Sequence, residues 1–457
     1  MRAALAFLLL AAACDPSLAD KDVVGTDSDD EATLGDAAVS DVTADLATIV
    51  TVVVVRWKTD VEATGHVEFG PDETYGISTN TTASGTSHEV FLVGTAADTL
   101  VHFRVVVDTG SGPTPTSDYT ITTGPLPTGT PQPVASGTMA DEWQFMVLPT
   151  QGAVAAVTIV NQVGDVVWYY RPVVEGGNLM RALLTNDRKA VLLGHAGTQG
   201  KLEDSLLQYI SIDGGTVVDI PAPFFDHDLD ELPDGTVAMI SVERRTRPNG
   251  TPWEADRIVE LAADGTETVI WNAWESLDST PYVDQPAPNW THGNGLDYWA
   301  EEDAYLISLK EIGTLCKVNR STGEIEWMID GELNEFDFGG AEVVQLQHQF
   351  ELMPNGNLLL FDNGTPERGY SRAVELELDI DARIATQIWE YIRTPPLLVF
   401  AKGDVQRFDN GNTLVTWSPN GEIQLVTPEG LPVWQLNAEL GQGYTFVQPV
   451  DSFYNAP

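Results

Sequence analysis

The sequence predicts an all-β protein: a β-sandwich near the N-terminus followed by a six-bladed β-propeller. Three observations carry that expectation. Short β-branched runs separated by turn residues occupy the segment from 46 to 128. Beyond Pro133, two interleaved series of hairpin turns recur at a period of roughly 50 residues. Tryptophans follow one of the two series.

Met1-Arg2, an apolar run from Ala3 to Ala13 and then Cys14 form an export signal. The run is shorter than the ~20 residues a membrane-spanning helix needs. Ala11-Ala12-Ala13-Cys14 resembles a bacterial lipobox. The resemblance implies removal of residues 1–13, acylation of Cys14, and an exported lipoprotein facing the periplasm or cell surface. An ordinary signal peptide containing a cysteine is the alternative. Cys14 and Cys316 are the only cysteines, so acylation of Cys14 excludes an intramolecular disulfide, and the chain offers no thiolate metal site. A formal charge of −45 argues against nucleic acid as a partner, because phosphate recognition needs a basic surface. Within 14–45, ten acidic side chains, one lysine and no aromatic residue predict a disordered tether.

From 46 to 128 the strands are expected at Ile49 to Trp57, His66 to Phe69, His88 to Val93, Val101 to Val107 and Tyr119 to Thr123. With its Tyr75-Gly76 turn and closing Thr122 to Pro125 stretch, this segment resembles a fibronectin type III-like domain. His66, His88 and His102 fall on these strands and read as structural.

Residues 133–457 carry the propeller. One turn series is Val163 to Asp165, Asp213 to Gly215, Asp264-Gly265, Thr322-Gly323, Asp381 to Arg383 and Glu429-Gly430; Trp168, Trp271, Trp327, Trp389 and Trp434 follow five of these. The other is Asn186-Asp187, Pro233 to Gly235, Glu301 to Asp303, Pro354 to Gly356 and Asp409 to Gly411. Asn-Gly and Asp-Gly pairs favour tight hairpins because both central residues adopt positive φ. Two hairpins per period give four strands, hence a blade. Six units are counted, and an imperfect unit at either end would make seven.

Successive blades bring residues at matched positions to one axis. His227 and His348 stand at the same offset before their hairpin turns, and His292 stands slightly further from its own. Three convergent imidazoles suit a nucleophile, a general acid–base, a metal site or hydrogen bonds that close the channel.

The stretch from His348 to Gly364, followed by Ser371 to Glu375, closely resembles the bacterial aryl-sulfate sulfotransferases. So do Ile307 to Trp327 and Gly403 to Leu414. That resemblance spans roughly 140 to 450 and implies a six-bladed propeller, usually periplasmic. It implies transfer of a sulfuryl group from a phenolic sulfate ester to a phenol without the nucleotide donor PAPS, so no cofactor is expected. Position by position, His348 matches the nucleophile that becomes a transient sulfohistidine, and His227, His292 and Asn294 match further active-site residues. The family arginine falls on Lys310, which offers a point charge where arginine offers a planar fork. Arg244, Arg245 and Arg372 are spare cations, read as surface or inter-blade partners. Two alternatives stand beside the enzyme: a non-catalytic binding or scaffold lipoprotein, and a metal-dependent hydrolase using His227, Asp228 and the other histidines. The resemblance makes an aryl sulfate and a phenol the partners; the sequence leaves the oligomeric state open.

Overall fold

Each glycine- or aspartate-bearing turn reverses the chain, and the reversals gather the strands into separate antiparallel sheets. The computed structural model describes residues 32–34, 37–139, 142–152, 154–172, 177–197, 201–340 and 344–454. The expectations for residues 1–31, Cys14 included, lie outside the described residues. Six sheets surround one axis. From the axis outward, blade 2 is Gly177–Leu184, Ala190–Gly197, Leu206–Ser211 and Val217–Pro221. Blade 3 is Phe225–Glu231, Val237–Thr246, Pro252–Leu261 and Glu267–Asn272, and blade 4 is Gly293–Trp299, Ala304–Leu309, Thr314–Asn319 and Ile325–Ile329. Blade 5 is Phe350–Leu352, Leu358–Asp362, Arg372–Asp379 and Ile384–Tyr391. Blade 6 is Asp404–Arg407, Thr413–Trp417, Glu422–Val426 and Pro432–Asn437.

Both ends of the chain close the ring. Blade 1 begins with Phe145–Gly152, Ala156–Asn161 and Val166–Tyr170, and receives Gln442–Tyr444 and Gln448–Val450 on its axial side. Val134–Gly137 joins the outer edge of blade 6. The blade count is therefore six.

Three of the recurring tryptophans, on strands at or next to the outer edge of their blades, tie blade to blade. The indole N–H of Trp168 donates to Ile212 O (2.8 Å), that of Trp389 to Pro428 O (2.8 Å) and that of Trp434 to Gln162 O (2.9 Å), each acceptor being in the next blade. At Gly323 the approach is so close that a Cβ would lie 2.4 Å from Ile270 O, and φ is +70°; only glycine fits there.

Acidic side chains on the innermost strands make a second set of ties. Asp228 accepts Leu296 N (3.0 Å), Asp230 accepts Tyr298 N (3.3 Å), Glu351 accepts Arg407 N (2.7 Å) and Asp404 accepts Val447 N (3.1 Å). Each acceptor reaches the next blade, where no continuous ladder is available to that N–H. Such bonds contribute about 0.5–1.5 kcal/mol each to a neutral carboxyl and about 1.5–3 kcal/mol to an ionised one.

At the N-terminal end, Val53–Gly70 serves two sets of strands. Its first half pairs with Ala37–Leu46 and Gly85–Leu92, and its second half with Leu100–Asp108. Val55, Trp57, Phe69 and Phe103 are buried together. Residues 37–45, expected within the tether, are thus strand. Buried Ala37, Val39 and Ala44 supply an apolar face that the acidic average of the segment conceals. This unit docks on the propeller face that carries the hairpin turns: Ile49 N donates to Asp213 O (3.0 Å) and Thr51 Oγ1 to Val167 O (2.7 Å). Tyr454 completes the contact, its hydroxyl donating to Phe91 O (2.9 Å) and accepting from Val93 N (2.8 Å). The opposite face, where the innermost strands begin, bears the histidines. Among the described residues no helix is long and apolar enough to cross a membrane.

Candidate active site

Each innermost strand runs from the histidine face to its hairpin turn, so residues at the strand start ring one mouth. The backbone there is strained. Phe224 (φ 67°), His227 (60°), His292 (52°), Leu346 (57°) and Lys402 (59°) all take the left-handed region that L-residues avoid. Strain of this kind is kept where the surroundings over-determine it, typically at functional sites. In blade 3 the ladder shifts register between Phe225 and Leu229, which takes the His227 segment out of regular pairing.

His348 is buried, and its Nδ1 lies 2.6 Å from Asn363 Oδ1. The Asn363 amide cannot be reversed, because its Nδ2 donates to Val399 O (2.7 Å) and Lys402 O (2.9 Å). Nδ1 of His348 therefore carries the proton and Nε2 the lone pair. Burial depresses the His348 pKa to about 3; His227, Lys310 and His292 press in the same direction, against the Asn363 hydrogen bond. His348 is a neutral imidazole with an available lone pair.

The other two imidazoles have carboxylate partners. His227 Nδ1 lies 3.0 Å from Asp226 Oδ1. Burial opposes charge on both, yet their mutual attraction prevails: the His227 pKa is raised and that of Asp226 lowered. His292 Nδ1 lies 3.5 Å from Glu311 Oε1, and Lys310 Nζ donates to the same oxygen (3.0 Å). Those two contacts hold the Glu311 carboxyl down to about 2, that to His292 being the larger. Lys310 is brought beside His292 because its backbone N donates to His292 O (3.1 Å). The His227 and His292 rings are 4.8 Å apart.

Asn294 is fully buried, and its Nδ2 donates to Gln347 O (2.8 Å), which fastens the turn leading into His348. The spare arginines are paired: Arg244 with Glu254, Arg245 with Glu243, and Arg372 with Asp362 and Glu390. Asp228 gives its oxygens to Leu229 N, Leu296 N and Gln349 Nε2 and faces Arg181 at 3.4 Å. Among the described residues, one group of three side chains brings metal-ligating atoms close together, Glu73, His102 and Asp118, and it lies in the N-terminal unit. Buried Cys316, with its thiol pushed up to about 12, is inert at neutral pH. Sequence reasoning missed Asn363, Glu311 and Asp226 as partners of the imidazoles.

Beneath the histidines the channel is acidic. Burial, with Asp230, Glu351 and Asp228 nearby, pushes Asp297 up to about 8, and burial pushes Asp404 to about 7. An unfolded aspartate titrates near ~3.9, so folded Asp297 holds a proton across the neutral range. Its contribution to stability is complete below about pH 4 and is lost as pH rises through about 8. Asp297→Asn, which mimics the protonated acid, is expected to raise the melting temperature by several degrees at pH 8, or about 1–3 kcal/mol. The gain should nearly vanish at pH 4. Scanning calorimetry at the two pH values checks this, and an equal gain at both would refute it.

Residues 132–418 match the model of the family described as Arylsulfotransferase (ASST). A curated relative, the arylsulfate sulfotransferase AssT of Escherichia coli O6:H1, is 23% identical over 248 residues, covering 38% of this chain and 41% of that protein. The match thus spans less than half the length of that relative. Among solved structures, a protein of unknown function from Bacteroides caccae is 16% identical with a TM-score of 0.46, covering 68% of this chain and all of that one. An auxiliary nutrient binding protein from Bacteroides ovatus is 11% identical with a TM-score of 0.38, covering 90% of this chain and 91% of that one.

Proposed function

We infer the function from a premise that the match over residues 132–418 supplies: the chain belongs to the arylsulfotransferase (ASST) family. The reading is that it moves a sulfuryl group from an aryl sulfate ester to a phenol, with His348 as the nucleophile and no nucleotide donor. One observation carries it: two imidazoles are held by carboxylates and one by an amide. A neutral nucleophile beside an imidazole whose charged form is favoured, as that of His227 is by Asp226, is what sulfuryl transfer from an ester needs.

In the first half-reaction His348 Nε2 attacks sulfur, the N–S bond forms and the ester S–O bond breaks. His227 or His292 gives a proton to the departing phenolate oxygen. Nδ1 keeps its hydrogen on Asn363, so the sulfurylated ring carries positive charge and remains a good leaving group. In the second half-reaction the acceptor hydroxyl returns a proton to the same imidazole, its oxygen bonds to sulfur and the N–S bond breaks. Lys310 faces the negative oxygens in both steps, as cations do in phosphoryl transfer.

Purified protein given 4-nitrophenyl sulfate should release 4-nitrophenolate in proportion to added phenol, and without acceptor the peptide containing His348 should gain one sulfuryl group in its mass. No acceptor-dependent release would overturn the reading. Lys310→Met should lower kcat/KM for the donor about 100-fold, with Lys310→Arg retaining activity. A Lys310→Met enzyme at the parental rate would remove Lys310 from the machinery.

A further inference from the structure

Blade 6 starts with a lysine near the position where blades 3 and 5 start with histidine. Aligning the turn glycines Gly235, Gly356 and Gly411 sets Gly403 in register with His227 and His348, and Lys402 precedes it. Lys402 Nζ donates to Gln151 Oε1 of blade 1, so the ammonium bridges blade 6 to its neighbour. Its backbone is fixed relative to the nucleophile, since Asn363 bonds Lys402 O through Nδ2 and His348 Nδ1 through Oδ1.

Two features of this lysine point to a ligand. The first is its lack of a counter-charge. Lys310 is paired with Glu311, Arg244 with Glu254 and Arg245 with Glu243, whereas among the described residues no carboxylate lies within ion-pair distance of Lys402. Arg171, Arg188, Lys201 and Arg247 share that lack, but Lys402 is the one whose carbonyl is held by the same Asn363 side chain as the nucleophile. Burial alone lowers its pKa, to about 8, and a desolvated ammonium is stabilised chiefly by an anion placed against it. The second is its surroundings. Phe400, two residues earlier, is 77% exposed, and Leu346, two before His348, is 37% exposed. Large exposed apolar side chains close in sequence to Lys402 and His348, at the starts of blades 6 and 5, suit an aromatic ring as occupant.

We propose that Lys402 recognises a second negative group on the substrate, so that the enzyme selects phenols bearing a ring carboxylate or similar anion, with Phe400 and Leu346 against the ring. This rests on the sulfuryl-transfer reading above and names the substrate class within it. The acceptor chemistry is unchanged: its hydroxyl attacks sulfur while its carboxylate lies at Lys402.

The test compares 4-hydroxybenzoate with 4-hydroxybenzamide, isosteric but uncharged at the substituent. With 4-nitrophenyl sulfate as donor, the wild-type kcat/KM should favour the carboxylate about tenfold or more, chiefly through KM. In Lys402→Gln that ratio should fall to near one, and Lys402→Arg should keep it. Calorimetric binding of the same two phenols to wild-type protein should show the same preference without relying on turnover. Equal affinity of wild-type protein for the two overturns the proposal, whether or not a variant folds. Preferential binding of the carboxylate without any turnover would instead count against the sulfuryl-transfer reading alone.

Discussion

His348→Ala is expected to abolish sulfuryl transfer, lowering kcat about 10⁴-fold or more. No neighbour can take over. The Asp226 carboxylate favours the charged form of His227, which has no lone pair with which to attack sulfur, and His292 is turned to Glu311 and Lys310. In rapid mixing with 4-nitrophenyl sulfate, the initial burst of phenolate should disappear along with steady-state turnover. The fold should survive at a modest cost. The substitution leaves the buried Asn363 Oδ1 without its partner, which costs about 1–3 kcal/mol, visible as a lower melting temperature. A variant that still shows the burst would show that the sulfuryl group is carried elsewhere or passes directly between phenols.

Asn363→Asp is expected to lower activity about 100-fold at pH 6 and to alter its pH dependence. The wild-type amide does two things that a carboxylate cannot combine. It leaves His348 uncharged, with a pKa of about 3, and it donates to the carbonyls of Val399 and Lys402. A carboxylate would face those two carbonyls without a hydrogen and would favour the imidazolium. The folded pKa of His348 then rises, the neutral fraction shrinks on the acid side, and the acid limb of kcat/KM moves to higher pH. Asn363→Leu also removes the tautomer lock but adds no charge, so its rate should drop with the acid limb in place. A pH profile of Asn363→Asp that parallels the wild type would rule out this account of the side chain.

Much of this architecture was legible because hairpin chemistry is local. Asp264-Gly265 and Thr322-Gly323 announce their turns through the φ values they need, and Trp271 and Trp327 mark the strands that follow. Ring closure was not legible. Val134–Gly137 is four residues long, lacks an alternating pattern, and pairs with Pro432–Asn437 at the other end of the chain. Ala37–Leu46 was hidden by its acidic neighbours, since composition averages over a strand whose buried face is only alanine and valine.

The candidate site divides in the same way. The histidines were found by register, which repetition writes into the sequence. Their partners depend on pairing across a hairpin. Counting back across the Pro354 to Gly356 turn in the Phe350–Leu360 register sets His348 opposite Asp362, next to Asn363; a local bulge then lets His348 N donate to Phe361 O (3.1 Å). That count was available from the sequence. What no count supplies is the orientation of the Asn363 amide, which is set by Val399 and Lys402 in the following segment. The contact between Glu311 and His292 likewise depends on how Lys310–Ile312 turns back over the start of blade 4.

The acidic collar that ties the blades together below the histidines also governs traffic. Any anion entering from the mouth meets Asp228, Asp230, Asp297, Glu351 and Asp404 further down, with Arg181 as counter-charge to Asp228, Asp230, Asp297 and Asp404. Even with some of these carboxyls protonated, the passage is hostile to anions. An anionic substrate is therefore expected to come and go by the histidine mouth. On the sulfuryl-transfer reading, donor and acceptor would then share that one mouth and take turns at it.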